Sequence, residues 1–111
     1  MTRPAGPGRR DTADQAVVAG VDVDLVAAAV TTCPLVAGLH AGAHGTAATL
    51  LPGRRVPGVR VTATAGEPAR VTVTVVARYG APLPRLVEQV RSAVAVRAPG
   101  HPVDVVVGDV S

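Results

Sequence analysis

Residues 71–110 read VTVTVVARYGAPLPRLVEQVRSAVAVRAPGHPVDVVVGDV, and three patterns follow one another along them. Val71, Val73, Val75 and Ala77 alternate with Thr72, Thr74, Val76 and Arg78, which is the period of a half-buried strand. Leu83, Leu86, Val87, Val90 and Val94 then fall at i, i+3, i+4, i+7 and i+11, with Arg85, Glu88, Gln89 and Ser92 on the opposite side, the stripe of an amphipathic helix. Tyr79-Gly80-Ala81-Pro82 separates the two, Pro84 sits where a first-turn proline is tolerated, and Ala98-Pro99-Gly100 stops the helix. In the last run Val103, Val105 and Val107 alternate inward with Asp104 and Gly108 outward. Strand, helix and strand in that order predict a right-handed crossover with parallel strands.

Working outward, Val59, Val61 and Ala63 alternate with Arg60, Thr62 and Thr64, and Gly66-Glu67-Pro68 turns this strand onto the next. Setting Val61 opposite Val73 places Thr62 opposite Thr72 and leaves residues 65–69 as the loop. One face is then apolar and the other carries Arg and Thr, with Val76 and Val106 as apolar residues on outer positions that hint at a contact between copies. Upstream, Leu25, Val26, Ala29 and Val30 share a helical face, Asp22 or Asp24 caps it, and Pro34 ends it before a short strand at residues 35–40. The segment 41–58, AGAHGTAATLLPGRRVPG, is expected to be a loop or an irregular hairpin, and MTRPAGPGRRDTAD at 1–14 has the composition of a disordered arm. The expected fold is α+β: a two-layer sandwich in which a small mixed β-sheet carries two helices on one face, in the order α-β-β-β-α-β, as a single domain over residues 15–111.

Composition bounds the rest. In 111 residues there are 23 Val, 20 Ala and 7 Leu but no Ile, Phe or Trp, so the core is small-residue and Val-dominated. All 11 basic residues are Arg, and the formal charge of +3 is therefore permanent. Absence of Lys, Asn and Ile matches GC-rich codon usage, which accounts for most of the Arg bias. A single cysteine, Cys33, forms no internal disulfide and suits a reducing compartment. Arg9-Arg10 is followed by Asp11 and Asp14 where an apolar signal core would begin, and Asp22, Asp24 and Pro34 interrupt the next weakly charged stretch, so neither a targeting signal nor a membrane span is expected.

The order of these patterns, with Tyr79-Gly80 closing a Val-rich strand, a helix built around Val87-Glu88-Gln89-Val90 and a Val/Asp strand at the end, resembles the alkaline shock protein family, the envelope stress response proteins. LVAAAVTTCPLVAGL at 25–39 resembles the family's opening helix and following segment, and the insert at 41–58 looks closer to actinobacterial members. Cys33-Pro34-Leu35-Val36 stands where the family has Pro-Gly-Val. The resemblance spans residues 17–110. It implies a non-enzymatic, self-associating cytoplasmic protein without cofactors, held peripherally at the inner face of the membrane by a small integral-membrane anchor or a paralogue.

Four constellations bear on chemistry. Cys33, His40 and His44 have a conceivable metal-ligand spacing, but Gly38, Gly42 and Gly45 break the helix that would align the histidines. A Cys33 nucleophile is disfavoured by its place at a helix C-terminus, where the dipole opposes a thiolate. Ala41-Gly42-Ala43-His44-Gly45 lacks the residues of a phosphate-binding loop and reads as a turn. Arg54, Arg55, Arg60, Arg70 and Arg78 face one acid, Glu67, within their segment, and alternation puts Arg60, Arg70 and Arg78 opposite the Val row. This surface can be a solvated face, a contact for protein or lipid headgroups, or a nucleic-acid interface; for the last, the one aromatic, Tyr79, is placed on the apolar side by the alternation. What the resemblance implies is therefore the expected function, a non-catalytic envelope-stress interaction module, with a small basic nucleic-acid-binding protein that uses the Arg-rich face as the alternative.

Overall fold

A computed structural model describes residues 16–42 and 47–111. The expected arm at 1–14 and His44 lie outside the described residues. In chain order the elements are β1 (Val17–Val18), β2 (Val21–Asp22), α1 (Val23–Thr31), β3 (Val36–Leu39), β4 (Ala48–Leu51), β5 (Arg54–Pro57), β6 (Val59–Thr64), β7 (Glu67–Ala77), α2 (Leu83–Arg97) and β8 (Val103–Val110). The fold is α+β, with two helices and a mixed β-sheet. The order read from sequence omitted the short antiparallel ribbon β1–β2, whose strands are too short to show a hydrophobic period, while β4 and β5 form the hairpin that was one of the two readings of residues 41–58.

β7 is the spine. It pairs in parallel with β8 from Val71↔Val103 to Ala77↔Val110, as the crossover predicts, and antiparallel with both β6 and β3. Thr74 marks where β6 gives way to β3: its N–H donates to the Gly58 carbonyl at 2.8 Å, and its own carbonyl accepts from the His40 N–H at 3.0 Å. The β6–β7 register differs from the expected one by two residues, since Val59 faces Val73 and Val61 faces Val71. Val still meets Val, because alternation fixes parity and leaves the offset to the turn. The turn is tighter than expected: Gly66, at φ +81°, brings Thr64 opposite Glu67, and the register shifts between Thr62 and Thr64, where Pro68, with no N–H to donate, is accommodated.

Helix α1 begins as its sequence asks. The Asp22 carboxylate accepts from the Leu25 N–H at 3.1 Å, so Asp22 is the cap and Asp24 is left for another task. Its buried face is Val23, Val26 and Val30, one step round from the expected face, and Leu25 is exposed. Helix α2 carries Pro84 in its first turn and buries Leu86, Val90 and Val94, while Leu83, at the start of the expected stripe, is 45% exposed. These residues join Val59, Val71, Val73, Val75 and Ala77 in one apolar cluster, with Val103, Val105 and Val107 partly buried against it.

Candidate interaction surface

The five arginines are spread over β5, β6, β7 and the turn after β7, and they meet different neighbours. Arg54, on β5, turns to α1, where Nη1 and Nη2 donate to the two carboxylate oxygens of Asp24 at 3.0 and 2.7 Å. Arg55 faces Leu50 across the β4–β5 ribbon. Arg60 and Arg70 do share a region, each opposite a threonine of the neighbouring strand, Arg60 facing Thr72 and Arg70 facing Thr62. Arg70 is also tied at 2.8 Å to Asp104 on β8. Arg78 lies eight positions along from Arg70, about 26 Å in an extended chain, and its Nε donates to the Pro34 carbonyl at 2.9 Å. The local excess of charge in the segment is therefore partly offset by Asp24 and Asp104, which come from elements far away in the chain.

The Arg54 guanidinium holds the Asp24 carboxyl below its ordinary value of 3.8, chiefly through these hydrogen bonds, with burial opposing. A carboxyl depressed on folding adds stability above its unfolded pKa and loses it as pH falls through the folded one. Both side chains are nearly half exposed, so the contribution is small. The melting temperature of Arg54→Ala is expected slightly below that of the parent at neutral pH, with the gap narrowing as pH falls below the ordinary carboxyl value of 3.8. Thermal unfolding followed by circular dichroism across that range checks this, and a gap that widens in acid would contradict the pairing.

Cys33 and His40 are not brought together. Cys33 is buried between the helices, its thiol approaching the carbonyls of Ala29 at 3.7 Å and Gln89 at 3.8 Å. His40 packs beside Thr74 over Gly108, and its Nδ1 accepts from the Gly42 N–H at 2.9 Å. Among the described residues no three His, Cys, Asp or Glu side chains gather to hold a metal ion. Burial pushes the Cys33 thiol up. Its reaction with a thiol reagent at pH 8 is expected to be at least about tenfold slower in the folded chain than in denaturant; equal rates would place the thiol at the surface. Next to it, a cleft of about 500 Å³ separates the Thr32-Cys33-Pro34 corner from Arg85, Glu88 and Ser92 of α2. The Gln89 Oε1 is buried beside this cleft with no hydrogen-bond partner among the described residues.

Tyr79 departs from the alternation. The strand stops at Ala77, so the parity that pointed its ring inward no longer applies, and Tyr79 stands 88% exposed in the turn before α2. Val106, one of the two outer apolar residues that hinted at a contact between copies, lies on β8. This strand pairs only with β7 among the described residues, and Val106 and Val110 on it are about half exposed. A Val-rich run signals a strand but not whether a neighbour lies on both sides of it; that is decided by the rest of the sheet. Among the described residues no helix is long and apolar enough to cross a membrane. Comparison with protein-family models, curated proteins and solved structures finds no match to this chain.

Proposed function

We propose that this chain works as a non-catalytic, self-associating interaction module of the envelope stress response type, held at the cytoplasmic side of the membrane by a small integral-membrane partner or a paralogue. The observation that carries the reading is the outer edge of β8, an eight-residue strand that pairs only with β7 among the described residues and carries half-exposed Val106 and Val110. Such an edge is a template for protein contact, and soluble monomers usually blunt it. A two-layer arrangement, with both helices on the Val face of the sheet, belongs to the same proposal: it leaves the Arg/Thr face and this edge for partners. Flotation tests it. The chain is expected to float with membranes of the cells that make it, at low and moderate salt, and not with protein-free anionic vesicles. Flotation with the vesicles alone, lost as salt rises, would replace a protein anchor with headgroup electrostatics; no flotation at all would overturn the membrane role.

One observation favours a second reading. Tyr79 is exposed beside Arg78, and an aromatic ring next to a guanidinium is a platform on which a nucleobase stacks. The nucleic-acid reading requires an affinity for single-stranded oligonucleotides that falls log-linearly with salt and drops on Tyr79→Ala.

A further inference from the structure

Within the interaction-module reading, we propose that the occupant of the β8 edge is a second copy of this chain, joined antiparallel about a two-fold axis through Val105. Val71 N–H donates to the Pro102 carbonyl at 2.9 Å, and Val71 pairs with Val103 in a parallel ladder. In such a ladder the N–H and C=O groups of alternate residues point to opposite sides. Those of Asp104 and Val106 therefore turn to β7, and those of Val103, Val105 and Val107 turn outward, where no described strand meets them. Water can satisfy these groups one by one, but a second strand pairs the whole row of alternating donors and acceptors and covers the valines at the same time.

The sequence of β8 selects the register. Centring on Val105 sets Val105 against Val105 and Val103 against Val107, so all three outward residues of each copy form doubly hydrogen-bonded pairs. The residues between them then face each other as Asp104 against Val106. Moving the axis to Asp104 places two carboxylates directly opposite, which is destabilising. Moving it to Val106 sets Val103 against Asp109, beyond the irregularity that shifts the β7–β8 register between Val75 and Val76, where Ser111 N–H rather than Val110 N–H bonds Ala77. That register loses the outer pairs. Only the Val105 axis keeps every outward group paired and no like charges opposed. Asp104 is meanwhile held by Arg70 of its own copy at 2.8 Å, so its charge is balanced where the second copy approaches.

Sedimentation of the purified full-length chain tests this, and it needs no membrane, so its failure is separate from failure of the anchoring. A dimer is expected at high micromolar concentration. Val105→Pro removes an outward N–H without touching the β7 ladder, and is expected to give a monomer that keeps its circular dichroism spectrum. Should that variant fail to fold, the charge variants at half-exposed Val106 decide. Val106→Asp sets a carboxylate against Asp104 of the second copy, twice by symmetry, and is expected to weaken the dimer about tenfold, whereas Val106→Lys strengthens it by a similar factor. A parent chain that stays monomeric, a folded Val105→Pro variant that still dimerises, or equal effects of Asp and Lys at 106 would each overturn the proposal.

Discussion

Val73→Asp is expected to leave the chain unfolded at neutral pH and room temperature. Val73 is fully buried on the spine strand, between Val59 on β6 and Val105 on β8, and belongs to the cluster that contains Val26, Leu86 and Val90. The substitution removes a core side chain worth about 1.5–3 kcal/mol and introduces a carboxylate with no cation among the core residues. Such changes cost about 5 kcal/mol or more, against a total stability of about 5–15 kcal/mol for a domain of this size. The sign with pH is definite. In the folded state the introduced group has a raised pKa, so the neutral form is favoured there and the damage is least below the unfolded carboxyl range near about 4. Loss of the far-UV signal at pH 7 with partial recovery in acid is the expected result. Arg60→Ser, at an exposed position one step from Val59, is expected to shift the melting temperature by only a few degrees. Comparable damage from both would mean that the strand faces are assigned the wrong way round.

Gly58→Ala is expected to lower the melting temperature by roughly 10–30 °C. Gly58 sits at φ +82° where β5 hands the chain to β6, and a Cβ there would lie 2.7 Å from the Leu39 Cβ and 2.9 Å from the Thr74 carbonyl oxygen. Neither neighbour can give way: Leu39 ends β3, and Thr74 is buried and holds β3 and β6 to the spine through the two hydrogen bonds that meet at it. The left-handed conformation costs an alanine about 1–2 kcal/mol, and overpacking adds about 1–3 kcal/mol. Gly66→Ala separates the two contributions. Its φ is +81° but a Cβ meets nothing within 4 Å, so only the conformational part applies and a drop of roughly 5–10 °C is expected. Equal losses at both positions would show that the crowding at the β3–β6 junction is not real.

The chemistry-bearing residues were less legible than the fold for a physical reason. Arg54 and Arg70 could be picked out as cations, yet their partners Asp24 and Asp104 stand 30 and 34 residues away, and no local pattern announces a side-chain pair across such a distance. The cap was legible because its hydrogen bond spans three residues: two candidate aspartates stand at the start of α1, and the geometry chose Asp22. Tyr79 was placed inward by extending a strand's parity past the point where the strand stops.

Features that repeat with a short period were legible along the chain. Alternating Val fixed β6, β7 and β8; the i, i+3, i+4, i+7 stripe fixed α2; and the crossover rule made β7 and β8 parallel. These features depend on neighbours a few residues apart, and local sterics and burial periodicity decide them. Long-range packing set the two-residue offset of β6 against β7, the ribbon β1–β2, the meeting of β3, β6 and β7 at Thr74, and the acidic partners of Arg54 and Arg70. A valine has the same affinity for any apolar neighbour, so alternation leaves several registers nearly equal in energy. The turn at Gly66, the close approach at Gly58 and the carboxylates of distant elements choose among them.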